Sequence, residues 1–292
     1  MLLDEQTEIH GIRFHMRVLE IAVGETRQAG VILVPEGAAV GKTPVLVEAK
    51  GVSWNFFPLR IPEGLNVASI LGKDLGRFVL VAPGFRGERV EVGGRVFQSD
   101  SPHESWDGAA EDLLEFLNVA LETTPQADPH RIFAFGRSRG GTVALLAGER
   151  DSRIGCVVAW AAPTDWFELM APAGWTQQQV AEDALRYHSK INEGGGQYVY
   201  NFLRYAVDGK ESLADVRRRM IASSPLYFTN SLPATQVNYG LEDSIVPENN
   251  GRELMQRAGS QVESHFYPDA GHDQDLFEAP ENARRFLLEH AK

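Results

Sequence analysis

Apolar and polar positions alternate along the first part of the chain, then give way to short apolar runs separated by helical periodicity. The alternating stretches, Ile12 to Val23 and Ala29 to Val34, joined around Gly24-Glu25, predict antiparallel strands at a sheet edge. The runs Val45 to Glu48, Phe78 to Ala82, Ile132 to Phe135 and Cys156 to Ala161 suit strands buried on both faces, and Thr235 to Tyr239 and Glu263 to Tyr267 read as two further strands. Helices are predicted over Gly64 to Leu75, from Thr142 onward, and over Asp275 to His290 at the end of the chain. From Trp106 to Leu121 the residues Trp106, Ala110, Leu113, Leu114, Leu117 and Leu121 share one helical face, with Glu111, Asp112, Glu115 and Asn118 opposite. Strands alternating with helices imply an α/β fold whose central sheet is mostly parallel and covered on both faces.

One strand-to-helix junction carries chemistry. Arg131 to Gly141 reads RIFAFGRSRGG, so the apolar run stops at Gly136-Arg137-Ser138-Arg139-Gly140, a G-x-S-x-G nucleophile elbow. Small neighbours at Gly136 and Gly140 let the backbone turn sharply and hold the Ser138 hydroxyl outward. Ser138 is therefore the candidate nucleophile.

The rhythm breaks once. Ala162 to Ala234 shows no strand signal and is too long for a simple crossover. Thr176 with Gln179, and Ser212 with Asp215, read as capping boxes, which start helices near Gln177 and Leu213. The segment also holds Trp166, Trp175, Tyr187, Tyr198, Tyr200, Tyr205 and Tyr227. Two readings stay open: the rings fasten a helical insertion to the sheet, or they line an apolar substrate pocket above Ser138, with Trp166 among them. The division expected is a hydrolase core over residues 1–163 and 228–292 and a helical cap over 164–227.

Composition narrows the function. With 292 residues, 43% of them hydrophobic, the chain can bury a large core. A formal net charge of -12 argues against a nucleic-acid partner, which would want a basic face. The first residues lack the basic and apolar regions of a signal peptide, and no apolar run approaches a membrane span. A single cysteine, Cys156, excludes an internal disulfide; within IGCVVAWAA it reads as core, and a cytoplasmic location is expected.

A nucleophilic serine needs a base, and the base an acid to orient it, in the order Ser, Asp or Glu, His along this kind of chain. Of eight histidines, His10, His15 and His130 precede the elbow, and His103 sits in a polar loop. His188 falls in the cap, His265 inside a strand and His290 at the end. His272 remains, in the turn after the last strand. The acid belongs to the loop after the preceding strand, where Glu242 and Asp243 both qualify.

These motifs resemble the α/β-hydrolase superfamily, and most of all the catalytic domain of the prolyl oligopeptidase family of serine hydrolases. The similarity rests on GRSRGG after DPHRIFAFG, on GLEDSIVP as an acid loop, on YPDAGH as a base loop, and on VAPGFRG, where Phe85 takes the position of a Tyr in the family's Tyr-Arg-Gly loop. It extends from about Val45 to the C-terminus. The resemblance selects Asp243 over Glu242. The chain departs from the family in showing no propeller before the hydrolase domain and no paired-Glu segment. Lys50-Gly51-Val52 stands where relatives carry a His-Gly-Gly or Gly-Tyr oxyanion loop.

The implied chemistry is acyl transfer to Ser138 with His272 as base and Asp243 as its orienting acid, followed by hydrolysis of the acyl-enzyme. The backbone N–H groups of Arg139 and Val52 are the candidate oxyanion donors. The expected substrate is a carboxylic ester, or a small amide or peptide. The alternative is a non-hydrolytic relative: an acyltransferase, a lyase or a binding protein. No cofactor and no metal are expected, since HExxH and paired-Cys patterns are absent. The partner expected is a small-molecule acyl substrate, without nucleic acid or membrane, and self-association is left open. Arg139, with Arg86, either grips an anionic group on the substrate or pairs with some of the chain's 40 acids.

Overall fold

The computed structural model describes residues 1–51, 58–100, 106–167, 202, 206, 209–272 and 278–292. Twelve strands occur among them: β1 Leu3–Ile9, β2 Ile12–Val23, β3 Thr26–Pro35, β4 Thr43–Ala49, β5 Leu59–Ile61, β6 Val79–Pro83, β7 Arg89–Val92, β8 Arg95–Gln98, β9 Ala127–Arg137, β10 Ile154–Trp160, β11 Ala234–Gly240 and β12 Val262–Tyr267. The described α-helices are α1 Asn66–Leu71, α2 Asp107–Thr123, α3 Arg139–Arg150, α4 Leu213–Ala222, α5 Asn249–Ala258 and α6 Ala279–His290.

Nine strands form one sheet in the order β1-β2-β3-β6-β4-β9-β10-β11-β12. The first three pair antiparallel, β3 meets β6 antiparallel, and from β6 to β12 every pairing is parallel. Side chains alternate across a strand, so β9 sends Phe133 and Phe135 into one core layer and Ile132 and Ala134 into the other. β10 does the same with Cys156 and Val158 against Val157 and Ala159. The first layer packs under α1 and α6, and the second under α2, α3 and α5. Both faces are covered, as uninterrupted apolar strands require.

Several expectations shift at their edges. The sheet edge has a third strand, β1, joined to β2 through His10 and Gly11, both at positive φ. Its five central residues, Asp4 to Glu8, are all polar, so no apolar alternation marks it in the sequence. Where one helix was expected over Gly64 to Leu75, α1 stops at Leu71 and a 3-10 turn, Gly72–Arg77, follows. Gly72 has φ 51, a conformation that ends a helix and suits a residue without Cβ. The closing helix begins only at Ala279, with a proline in its first turn, the position a proline favours. A small second sheet, β5-β7-β8, was not anticipated because its strands are too short to show a period.

Of the expected cap, α4 is described, and its start follows the expected capping box. Ser212 Oγ accepts from the Asp215 N–H, and the Asp215 carboxylate accepts from the Ser212 N–H. The helix expected near Gln177 lies outside the described residues, as do Trp175, Tyr187, Tyr198, Tyr200 and Tyr205.

Candidate active site

The elbow is built by close approach. Ser138 sits between β9 and α3 with φ 55 and ψ -128, a strained conformation held by its N–H donating to Trp160 O at 2.8 Å. A Cβ at Gly136 would lie 2.0 Å from Gly140 O, and one at Gly140 would lie 2.0 Å from Ala49 O, so neither position tolerates a side chain. The turn therefore presses against the end of β4, and Ser138 stays partly exposed at the tip.

The acid and base come from adjacent strand ends. Glu242 N–H donates to Ala270 O at 3.0 Å and Leu241 N–H to Tyr267 O at 2.9 Å, which ties the loop after β11 to the loop after β12. A Cβ at Gly240 would fall 2.1 Å from Ala270 O, so glycine permits this contact. His272 Nε2 lies 3.0 Å from Ser138 Oγ, and His272 Nδ1 lies 2.8 Å from Asp243 Oδ2. The other carboxylate oxygen, Oδ1, accepts from the N–H groups of Ile245 and Val246 at 2.9 and 2.8 Å. The Asp243 side chain has no exposed surface, while Glu242 is exposed. Of the two carboxylates left open by spacing, the geometry brings only Asp243 to the imidazole.

Other histidines are held by structural partners. His265 pairs with Glu263 at 2.7 Å, His15 with Asp4, and His290 bonds Phe286 O. His103 and His188 lie outside the described residues. Cys156 is buried, and burial pushes its thiol far above the ordinary range, which removes it as a nucleophile.

The arginines depart from the substrate-clamp reading. Arg139 is completely buried, with Nη1 2.5 Å from Glu88 Oε1 and its guanidinium 5.0 Å from the centroid of the Phe85 ring. Arg86 forks onto Asp112, with Nε and Nη2 at 2.9 and 2.7 Å from Oδ1. Burial raises the Asp112 carboxyl, and hydrogen bonds from Arg86 oppose that rise. Both guanidiniums thus meet acids of the chain itself, for planar forks match carboxylates well wherever one is at hand. Phe85 is likewise fully buried beneath Arg139 and does not line an open rim. Trp166 is also core: it packs on Trp106 at 3.8 Å between centroids and donates from Nε1 to Ser223 O.

One contact escaped the sequence reading. Arg137 donates to the carbonyl of His272 and steadies the loop that carries the imidazole. No spacing signal marks that contact, because the two residues meet only across the sheet. Val52 lies outside the described residues, whereas Lys50 and Gly51, which lead to it, are described. Burial lowers the Lys50 ammonium to about 8, against the opposing pull of Glu88. Among the described residues no group of His, Cys, Asp and Glu is arranged to hold a metal, and no helix is long and apolar enough to cross a membrane.

A mostly parallel sheet with helices on both faces and a serine elbow at its centre defines an α/β-hydrolase, and the comparisons agree. The model of the prolyl oligopeptidase family matches residues 76–291, and the chain belongs to that family, a family of serine hydrolases. No curated protein matches. Among solved structures, acetyl xylan esterase 1 from Thermoanaerobacterium sp. superposes with a TM-score of 0.65 at 17% identity, over 100% of this chain and 88% of its own. A puromycin hydrolase gives 0.65 at 15% identity, over 97% of this chain and 39% of its own. The acylaminoacyl peptidase of Pyrococcus horikoshii gives 0.60 at 17%, over 95% and 40%. The chain thus spans about two fifths of the length of these last two enzymes.

Proposed function

We propose that the protein hydrolyses a carboxylic ester through Ser138, His272 and Asp243, with a small amide or peptide as the second substrate class. The observation that carries this reading is the continuous hydrogen-bond chain from Ser138 Oγ through both imidazole nitrogens to a buried carboxylate. In the first step Ser138 Oγ attacks the acyl carbon while His272 Nε2 takes its proton and Asp243 stabilises the imidazolium. The protonated imidazole then gives that proton to the leaving alcohol as the acyl-enzyme forms. Water, deprotonated by His272, then attacks the acyl carbon; the bond to Ser138 Oγ breaks, the imidazolium returns its proton to that oxygen, and the acid is released. The backbone N–H of Arg139, at the start of α3, is one donor to the tetrahedral oxyanion. The ester class is preferred because the acetyl xylan esterase superposes over this whole chain and most of its own.

Turnover of p-nitrophenyl esters of graded acyl length, compared with aminoacyl anilides, tests the substrate class. A fluorophosphonate probe should label the wild type at Ser138. Absence of labelling and of turnover on every substrate would favour a non-hydrolytic role.

A further inference from the structure

Arg137 closes β9 and stands directly before the nucleophile. Side chains alternate along a strand, so Arg137 leaves β9 on the face that carries Phe133 and Phe135. That core layer also holds Tyr267 and Ala270, from the end of β12 and the loop after it. A column of rings thus ends in a guanidinium. Its Nη2 donates to the carbonyl of His272, while Oγ of the next residue, Ser138, lies 3.0 Å from Nε2 of the same histidine. Two consecutive residues of the elbow therefore hold one residue, the first by its backbone and the second by its ring.

The imidazole has far to come. β12 lies three strands from β9 in the order β9-β10-β11-β12, about 14 Å at the usual strand spacing, and the loop after β12 returns across that distance to reach Ser138. The bonds from Glu242 to Ala270, from Leu241 to Tyr267 and between His272 and Asp243 join the base loop to the acid loop. They bind base to acid, not base to nucleophile. The Arg137 bond crosses from the elbow to the base loop, and a charged donor makes it stronger than a neutral one. An error of about 1 Å at a reacting group costs about 100-fold in rate, so a tie at this place bears directly on turnover. We propose that Arg137 is a positioning residue for the reaction: by holding the carbonyl of His272 it keeps the imidazole in reach of the Ser138 hydroxyl, in acyl transfer and in hydrolysis alike. This inference rests on the serine-hydrolase reading of Ser138.

The test compares wild type with Arg137→Met, Arg137→Lys and Ser138→Ala. Steady-state kinetics on a p-nitrophenyl ester are normalised to active sites titrated with a fluorophosphonate. The rate of that labelling is recorded as well, since it too needs His272 to take the Ser138 proton. In Arg137→Met, kcat per titrated site should fall about 10- to 100-fold, the range of a lost charge-assisted hydrogen bond, with KM changed by less than about threefold. The labelling rate should fall in step. Arg137→Lys keeps a charged donor and should recover part of both rates. A side chain that only stabilises the fold would lower the number of titratable sites and leave kcat per site alone; that result overturns the proposal. A side chain that grips the substrate would raise KM and leave kcat and labelling unchanged, which overturns it equally. If Arg137→Met does not fold, Arg137→Gln replaces it, because its amide ends where the arginine Nε sits and falls short of the carbonyl. The same falls are expected there, and wild-type turnover per site would overturn the proposal. Activity and labelling that survive in Ser138→Ala would instead sink the hydrolase reading itself.

Discussion

At Ser138 the backbone conformation serves the chemistry: a positive φ of 55 in a residue with a side chain is costly, and here it turns the hydroxyl toward His272. Ser138→Ala and His272→Ala should each lower kcat by about a million-fold while the melting temperature stays near that of wild type. Circular dichroism alongside ester turnover checks this; a folded Ser138→Ala enzyme with near-normal turnover contradicts the assignment. Asp243→Asn should cost about four orders of magnitude in kcat, since an amide favours the wrong imidazole tautomer. Glu242→Gln should be nearly silent, because that carboxylate is exposed and does not touch His272. The reverse ranking would show that the acid was misassigned. A different carboxyl, Glu149 in the last turn of α3, has both oxygens buried without a hydrogen-bond partner in the protein. Burial, only partly offset by Arg150, pushes its pKa up to about 9, so it folds as the neutral acid at pH 7.

Elements, rather than single side chains, decide where the three groups meet. β9, β11 and β12 run parallel, so their C-terminal ends lie together and their following loops share one edge of the sheet. The junction of β9 and α3 depends on backbone passing backbone, which no side-chain rearrangement can relieve. Gly140→Ala places a methyl 2.0 Å from the Ala49 carbonyl and should destabilise the protein by more than about 2 kcal/mol. Urea unfolding measures that loss, and fluorophosphonate labelling should fall with it, since the elbow must open to admit the methyl. An alanine variant with wild-type stability and labelling would mean that the elbow is looser than this packing.

For the molecule as a whole, the buried acids set how stability responds to pH. Glu48 accepts from the Asn66 and Val67 N–H groups at the start of α1, yet burial outweighs these bonds and raises its carboxyl to about 7. Glu48 and Glu149 both have folded pKa values above the ordinary 4.5. A raised acid contributes stability that is full below its unfolded pKa and is lost as pH climbs through the folded one, because the folded state then binds more protons than the unfolded. The windows run from 4.5 to about 7 for Glu48 and from 4.5 to about 9 for Glu149. Self-repulsion of a chain with net charge -12 acts in the same direction. The melting temperature should therefore be higher near pH 6 than near pH 8.5, and Glu149→Gln should raise it at the alkaline end and flatten the slope. A wild-type protein that melts higher at pH 8.5, or a Gln variant with an unchanged slope, contradicts the account.

Much of this was legible in the sequence where the signal was local. Apolar runs marked the buried parallel strands, the two glycines flanking Ser138 marked a turn too tight for side chains, and the order of loops after β11 and β12 narrowed eight histidines to His272. Each of these depends on a residue and its near neighbours along the chain, which a sequence displays directly. The choice of Asp243 over Glu242 needed the resemblance first and the fold afterwards, because adjacent residues on a loop differ in direction and not in spacing. What Arg139, Arg86, Phe85 and Trp166 do was decided by tertiary structure alone. Their partners Glu88, Asp112 and Trp106 come from other elements, and whether a guanidinium faces solvent or a buried carboxylate depends on which segments fold against it.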